Sequence, residues 1–240
     1  MGRSDYNIIS IIPARSGSTR VKDKNIRLLG GRPLISYTIK SSLKSEVSRT
    51  IVSTDDNRIA NIARREGAEV PFLRPKKIST SKTSAFPVVL HCLEYLKRSE
   101  NYFADYVVYL QPTSPFRNSK DINLGLERII SSDSTSLTSI SSVYQHPLWM
   151  FKKDSKHRLI PFLRNKNKPE RSQDLPALYY VNGALTITKG NYFKSKRQNK
   201  YIIDFNDVAG LELDPVHALD IDTEIDLEIA QCLVKKFNND

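Results

Sequence analysis

The stretch Asn7-Ile8-Ile9-Ser10-Ile11-Ile12-Pro13, running on into Ala14-Arg15-Ser16-Gly17-Ser18-Thr19-Arg20-Val21-Lys22-Asp23-Lys24-Asn25, decides the fold. Its first half is a short apolar run, as expected of a strand buried on both faces. Its second half is a polar loop with one glycine, several hydroxyls and the cations Arg15, Arg20, Lys22 and Lys24. In α/β sheets, ligands bind beyond the carboxyl ends of the strands, where this loop begins. Backbone N–H groups and cations in such a loop can wrap a polyphosphate. The spacing matches neither the P-loop nor the G-x-G-x-x-G dinucleotide pattern. A solvated surface loop is the competing reading, because basic residues are common in loops.

On either side of the loop's helix the same rhythm of strand and helix recurs. Pro33 opens a helix, Thr50–Ser53 reads as a strand, and Asp56 can cap a helix over Arg58–Arg65 that stops at Gly67. Val70-Pro71-Phe72 reads as a short edge strand. Helices are expected at Val88–Leu96 and Ser119–Ile130, and strands at Tyr106–Leu110 and Leu137–Val143. After Val143 the rhythm breaks; Tyr179–Thr188 reads as a strand, and regular order returns at Val208–Leu213 and ends with the helix Glu224–Phe237. The pattern predicts one α/β domain over residues 1–240: three layers, Rossmann-like, with a mostly parallel sheet. Residues 144–205 form an insertion, the best candidate for an oligomer contact, with Trp149 and Phe151 in its core or at that contact.

Composition narrows the function classes. With 39% hydrophobic residues in 240, a packed core is expected, and no apolar run approaches the roughly 18 residues a membrane span needs. The first residues are too short for a signal sequence, and Cys92 and Cys232 read as reduced thiols, so a cytoplasmic protein without membrane insertion is expected. The net charge of +11 is unevenly placed. Residues 151–200 hold 13 basic against 3 acidic residues, whereas 201–240 hold 2 against 10. This segregation suits a protein that brings a metal to a polyphosphate. A basic nucleic-acid-binding module is the alternative of a different class, but no motif of such a module is present and no nucleic-acid partner is expected.

The acidic end holds Asp220 and Asp222 at i and i+2, so on extended backbone both carboxylates face one side. Mg²⁺ commonly takes one or two carboxylates and completes its shell with phosphate oxygens and water. Asp226 and Glu228 read instead as helix-capping acids. Gln111, Thr113 and Ser114 follow the strand 106–110 and offer amide and hydroxyl contacts in a loop stiffened by Pro112 and Pro115. Arg74 is either a base contact or a surface cation, and His217 stands beside the acidic run.

Several segments resemble the acylneuraminate cytidylyltransferases, in family order and over residues 8–230. Ala14, Arg15, Gly17, Ser18, Lys24 and Asn25 match the pattern A-R-x-G-S-K-G-x-x-x-K-N, while Thr19 and Arg20 depart from its Lys-Gly. Ser18-Thr19-Arg20 instead resembles the 3-deoxy-manno-octulosonate (Kdo) cytidylyltransferases. Val52-Ser53-Thr54-Asp55 with Ile59-Ala60, and Phe72-Leu73-Arg74-Pro75, match further family segments. Ser81 stands where the family often has Asp, in a run ending at Thr83. Leu110-Gln111-Pro112-Thr113-Ser114-Pro115-Phe116-Arg117 is a near copy of L-Q-P-T-S-P-L-R. Arg171-Ser172-Gln173-Asp174-Leu175-Pro176, then Tyr179 and Asn182-Gly183-Ala184, follow R-x-Q-D-L-P and N-G-A, with Thr186 where an aromatic is usual. Ala218–Glu228 carries the acidic signature.

The resemblance implies a nucleotidyltransferase fold and CTP-dependent activation of a nine-carbon keto sugar acid, a nonulosonic acid, to its CMP-sugar with release of pyrophosphate. It implies nucleotide contacts from Ala14, Arg15, Ser16, Gly17, Ser18, Arg20, Lys24, Asn25, Arg74 and Thr83. Sugar contacts fall to Gln111, Thr113, Ser114, Arg117, Arg171, Tyr179, Asn182 and Gly183. Asp220 and Asp222 would hold Mg²⁺ or Mn²⁺, with Arg15, Lys24 and Asp222 as the catalytic set. The family implies a homodimer. Departures at Thr19, Arg20 and Ser81 leave room for a GTP-using legionaminic acid guanylyltransferase or a Kdo-type acceptor on the same fold.

Overall fold

The computed structural model describes residues 6–18, 20–163, 171–194 and 200–237. β1 (Ile8–Pro13) is fully buried over its isoleucines. Ile8 and Ile12 face one cluster and Ile9 and Ile11 the other, so the period of two puts apolar side chains on both faces of the sheet. Each such burial contributes roughly 1.5–3 kcal/mol. β2 (Leu28–Leu29) and β3 (Arg32–Pro33) make a small hairpin before α1 (Leu34–Leu43). Pro33 is the residue before the helix rather than its first, with the extended backbone of a cap.

β4 (Arg49–Ser53) leads to α2 (Asn57–Arg65), where Asp56 caps as expected by accepting from Arg58 N. No third strand forms at 70–72. Only isolated bridges at Glu69 and Leu73 reach the β4 region, because Pro71 has no N–H to extend the ladder. α3 (Ala85–Glu100) is longer at both ends than its apolar pattern suggested. β5 (Tyr106–Tyr109), α4 (Ser119–Ser132) and β6 (Ser136–Ser142) follow. Asn118 and Asp121 close a capping box on α4. The segment 144–205 does not all project from the sheet. β7 (Phe151–Lys153) and β8 (Leu159–Pro161) form an exposed hairpin that three-residue strands gave no period to reveal. The strand over Tyr179–Lys189, by contrast, lies inside the main sheet, and Phe193, Ile202 and Ile203 join the core. β9 (Tyr179–Lys189), β10 (Val208–Glu212) and α5 (Glu224–Phe237) complete the chain.

The main sheet has the order β10-β6-β9-β5-β1-β4. β9 runs antiparallel to both neighbours, and the other pairings are parallel. α1, α2 and α4 contribute Ile35, Ile39, Ile59, Ala60, Ile122 and Leu126 to the core on one face. On the other face Val89, Cys92 and Leu96 of α3 pack with Phe193, Ile202 and Ile203. α5 stands apart and packs with Leu29 and Leu34 through Leu227, Ala230 and Val234. That packing anchors the acidic segment just before α5 against the basic loop's exit. No helix among the described residues is long and apolar enough to cross a membrane.

Candidate active site

The basic loop leaves β1 at its carboxyl end and is pinned from below. Ala14, fully buried, donates its backbone N–H to Ser53 O at 2.9 Å. Asp55 accepts from both Ser16 N (2.8 Å) and Ser16 Oγ (2.7 Å). Gly17 has φ +68°, a left-handed backbone that a side chain would strain. Arg15 folds its Nη1 back onto Ser16 O and Gly17 O at 3.1 and 2.9 Å. Asn25 is buried and donates to Arg15 O at 2.9 Å, so it shapes the loop rather than facing the cleft. Ser18 is partly exposed, and Thr19, with its departure from the family pattern, lies outside the described residues.

The acidic segment meets this loop directly. Lys24 Nζ lies 2.8 Å from Asp222 Oδ1 and 2.7 Å from Ile221 O, and Arg20 Nη1 lies 3.2 Å from Asp222 Oδ2. Backbone at 220–222 is irregular, yet the alternation holds: Ile221 is buried with its N–H on Thr113 O (2.8 Å), between the two carboxylates. Thr223 and Asp226 close a reciprocal cap at the start of α5, and Asp226 also accepts from Asp222 N at 3.0 Å. The acidic pair is thus fixed to the helix.

Asp220 is the less satisfied of the pair. Its Oδ1 is buried and closes no hydrogen bond, and neither does Thr113 Oγ1. Burial raises the Asp220 carboxyl above its ordinary value; the Thr113 hydroxyl nearby opposes this, Asp222 adds to it and Lys24 opposes it. A carboxylate oxygen with no donor is a fit place for a cation. Among the described residues no group of three or more His, Cys, Asp or Glu converges, so a cation here would rest on two carboxylates.

Gln111–Arg117 arches over β5. Gly183, at φ +77°, leaves room for Gln111: an added Cβ would lie 2.8 Å from Gln111 Nε2. Asn182 is held from beneath, its Oδ1 accepting from Ser139 Oγ and its Nδ2 donating to Ser141 Oγ at 2.8 Å. A cleft of about 520 Å³ opens here, with Ser141, Tyr180, Asn182, Glu212 and Asp220 among its walls.

The other expected site residues are placed as follows. Arg117 is 1% exposed and donates to Ala184 O at 2.7 Å, tying the loop to β9. Burial pushes its guanidinium down to about 10, with Asp121 opposing. Ser114 is likewise buried, at 1%. Arg74 is buried beside Asp55 (3.9 Å) and bonds Ser79 Oγ rather than lying on the surface. Thr83 bonds Thr80 in the turn before α3. Arg171 is exposed on the insertion, and Tyr179 is half-exposed where β9 meets the end of β6. His217 is committed to the first turn of α4 through Asp121 (3.1 Å) and Asn118 (3.4 Å). Sequence reasoning missed Asp55, signalled by its place just past a strand, and Ser139 and Ser141, signalled by hydroxyls alternating along a central strand.

Parallel strands that deliver a basic loop and an acidic pair to one end define an α/β protein of the kind that handles anionic ligands. The cytidylyltransferase family model matches residues 9–229. A CMP-N,N'-diacetyllegionaminic acid synthase of Legionella pneumophila is 35% identical, covering 95% of this chain and 96% of its own. A pseudaminic acid cytidylyltransferase of Campylobacter jejuni is 33% identical over 95% and 96%. An N-acylneuraminate cytidylyltransferase of Escherichia coli is 32% identical over 96% of this chain and 53% of its own length. This chain belongs to the cytidylyltransferase family. Its fold is also that of a solved CMP-2-keto-3-deoxy-manno-octonic acid synthetase complexed with CTP, with a TM-score of 0.68, 17% identity and coverage of 95% and 98%.

Proposed function

We propose that this protein joins CTP to a nonulosonic, sialic-acid-like sugar acid, giving the CMP-sugar and pyrophosphate. One observation carries the reading: the cations Arg20 and Lys24 of the loop after β1 converge on Asp222 of the acidic pair. The relatives named for CMP-legionaminic acid synthesis and pseudaminic acid cytidylyl transfer support it across nearly the whole chain.

In this reading the loop from Ala14 to Asn25 binds the triphosphate. Arg15, Arg20 and Lys24 oppose the charge that builds on the leaving pyrophosphate as the sugar's anomeric hydroxyl attacks the α-phosphate. Asp220 and Asp222 would hold Mg²⁺ or Mn²⁺, which when bound supplies charge neutralisation at the α-phosphate. Gln111, Asn182 and Tyr179 would orient the sugar acid, and of these Asn182 lines the 520 Å³ cleft. Arg117, buried, ties the loop that carries Gln111 to β9 through Ala184 O. The exposed hairpin residues Phe151, Leu159, Ile160 and Phe162 suit a homodimer contact, which would bring Arg171 of the insertion near a partner's site. Free Cys92 and Cys232 are consistent with a cytoplasmic setting.

The test crosses CTP, GTP, ATP and UTP with N,N'-diacetyllegionaminic, pseudaminic, N-acetylneuraminic and Kdo acids, reading pyrophosphate release. The proposal expects CTP and a nine-carbon acid to give the highest kcat/KM. A preference for GTP, or for Kdo, would replace the nucleotide or acceptor assignment.

A further inference from the structure

We infer that Asp55 is a positioning residue for the nucleotide, one carboxylate that fixes the start of the basic loop and serves as counter-ion to the buried Arg74. The inference rests on the reading of residues 14–25 as the triphosphate site. Asp55 lies two residues past the end of β4, the strand paired with β1, and its side chain is 14% exposed. Its two oxygens take different donors from Ser16: Oδ1 the backbone N–H at 2.8 Å and Oδ2 the hydroxyl at 2.7 Å. Hydrogen bonds to an ionised acceptor are the strong ones, and two of them to one residue fix its orientation.

On its other side stands Arg74. Its side chain is 3% exposed, and its Nη2 lies 3.9 Å from Asp55 Oδ1. Among the described residues Asp55 is the carboxylate within ion-pair reach of this guanidinium. The segment is held close by Arg74 N donating to Thr54 O at 2.7 Å, and Arg74 Nε donates to Ser79 Oγ at 3.1 Å. Burial pushes the guanidinium below its ordinary value; Asp55 opposes this, and the charge of Arg15 adds to it. Asp55 thus stands against both Arg74 and Ser16, the residue following Arg15. A buried charge without a partner is costly, so this carboxylate keeps Arg74 inside the wall while it orders Ser16. A loop ordered before binding loses less freedom on taking up its ligand.

Asparagine separates these roles from simple packing. Its amide has the same shape and can keep both Ser16 contacts, the oxygen accepting from the N–H and the NH2 donating to the hydroxyl. It strips both of their charge assistance, however, and cannot neutralise Arg74. The experiment uses the full chain with Asp55→Asn, Ser16→Ala and the double variant, measuring CTP binding by calorimetry, the KM of each substrate, and melting. Asp55→Asn is expected to weaken CTP binding and raise its KM about tenfold or more, as loss of charge-assisted bonds does. The sugar-acid KM and kcat stay within about threefold, and Asp55→Asn costs less in the Ser16→Ala background than alone. If Asp55→Asn does not fold, Asp55→Glu carries the test: it keeps the charge but moves the carboxylate by one methylene, and CTP affinity is expected to fall about threefold or more while melting stays cooperative. Unchanged CTP affinity in the folded variant, equal losses for both substrates, or strictly additive effects would overturn the inference. Failure of the unaltered protein to bind CTP would overturn the loop reading, and this inference with it.

Discussion

Asp220 is held in this fold at a cost in stability. Its Oδ1 is buried without a hydrogen-bond donor, and Asp222 is close enough to add repulsion. Replacing it by asparagine removes the buried charge while keeping the shape. Asp220→Asn should therefore raise the melting temperature by about 2–4 °C, the equivalent of about 1 kcal/mol in a domain of this size. Turnover should fall about a hundredfold or more; a variant that is less stable and fully active would contradict both statements. The pair itself was legible in the sequence, because an i, i+2 spacing around a buried Ile221 keeps its meaning even on irregular backbone. Arg117 was not. Its motif shows a cation in a polar loop, and nothing local reveals that it turns inward to Ala184 O, 67 residues away in the chain.

Secondary structure was most legible where local chemistry decides it. Asp56, Asn118 and Thr223 stand at helix starts, where their side chains serve the free N–H groups. The hydrogen bond and ion pair with Arg58, with the backbone bond to the same residue, hold the Asp56 carboxyl below its ordinary value against the effect of burial. A lowered carboxylate contributes stability above its unfolded pKa and loses it as pH falls through the folded one. Asp56→Ala should thus cost about 1 kcal/mol in urea unfolding at pH 7, and the gap should close below the ordinary carboxylate range. A gap that persists in acid would show that the cap is not the cause. Elements that depend on distant partners were harder to read. The hairpin of β7 and β8 is too short for a period, and the bonds holding Asn182 exist only because β9 lies against β6.

Charge layout becomes intelligible across the whole molecule. The basic loop and the acidic end, some 200 residues apart, meet as Lys24 and Asp222. Much of the remaining excess lies in residues 151–200, whose hairpin exposes apolar side chains as well. Leu159 is 65% exposed and Phe162 50%, a poor surface to leave in water. In sedimentation the unaltered protein should be a dimer, and Ile160→Glu with Phe162→Glu should make it a monomer without lowering its melting temperature. A wild-type monomer would remove the dimer proposal.

In the proposed reaction, the chemistry that matters most takes place where the loop meets the acidic pair. Phosphorus NMR of the protein with CTP, Mg²⁺ and N,N'-diacetyllegionaminic or pseudaminic acid tests it most directly. Transfer of the cytidylyl group predicts pyrophosphate and a sugar–CMP phosphodiester signal rising together in equal amounts as CTP is consumed. Inorganic phosphate with CDP, or CTP left unchanged with every acid, would contradict it.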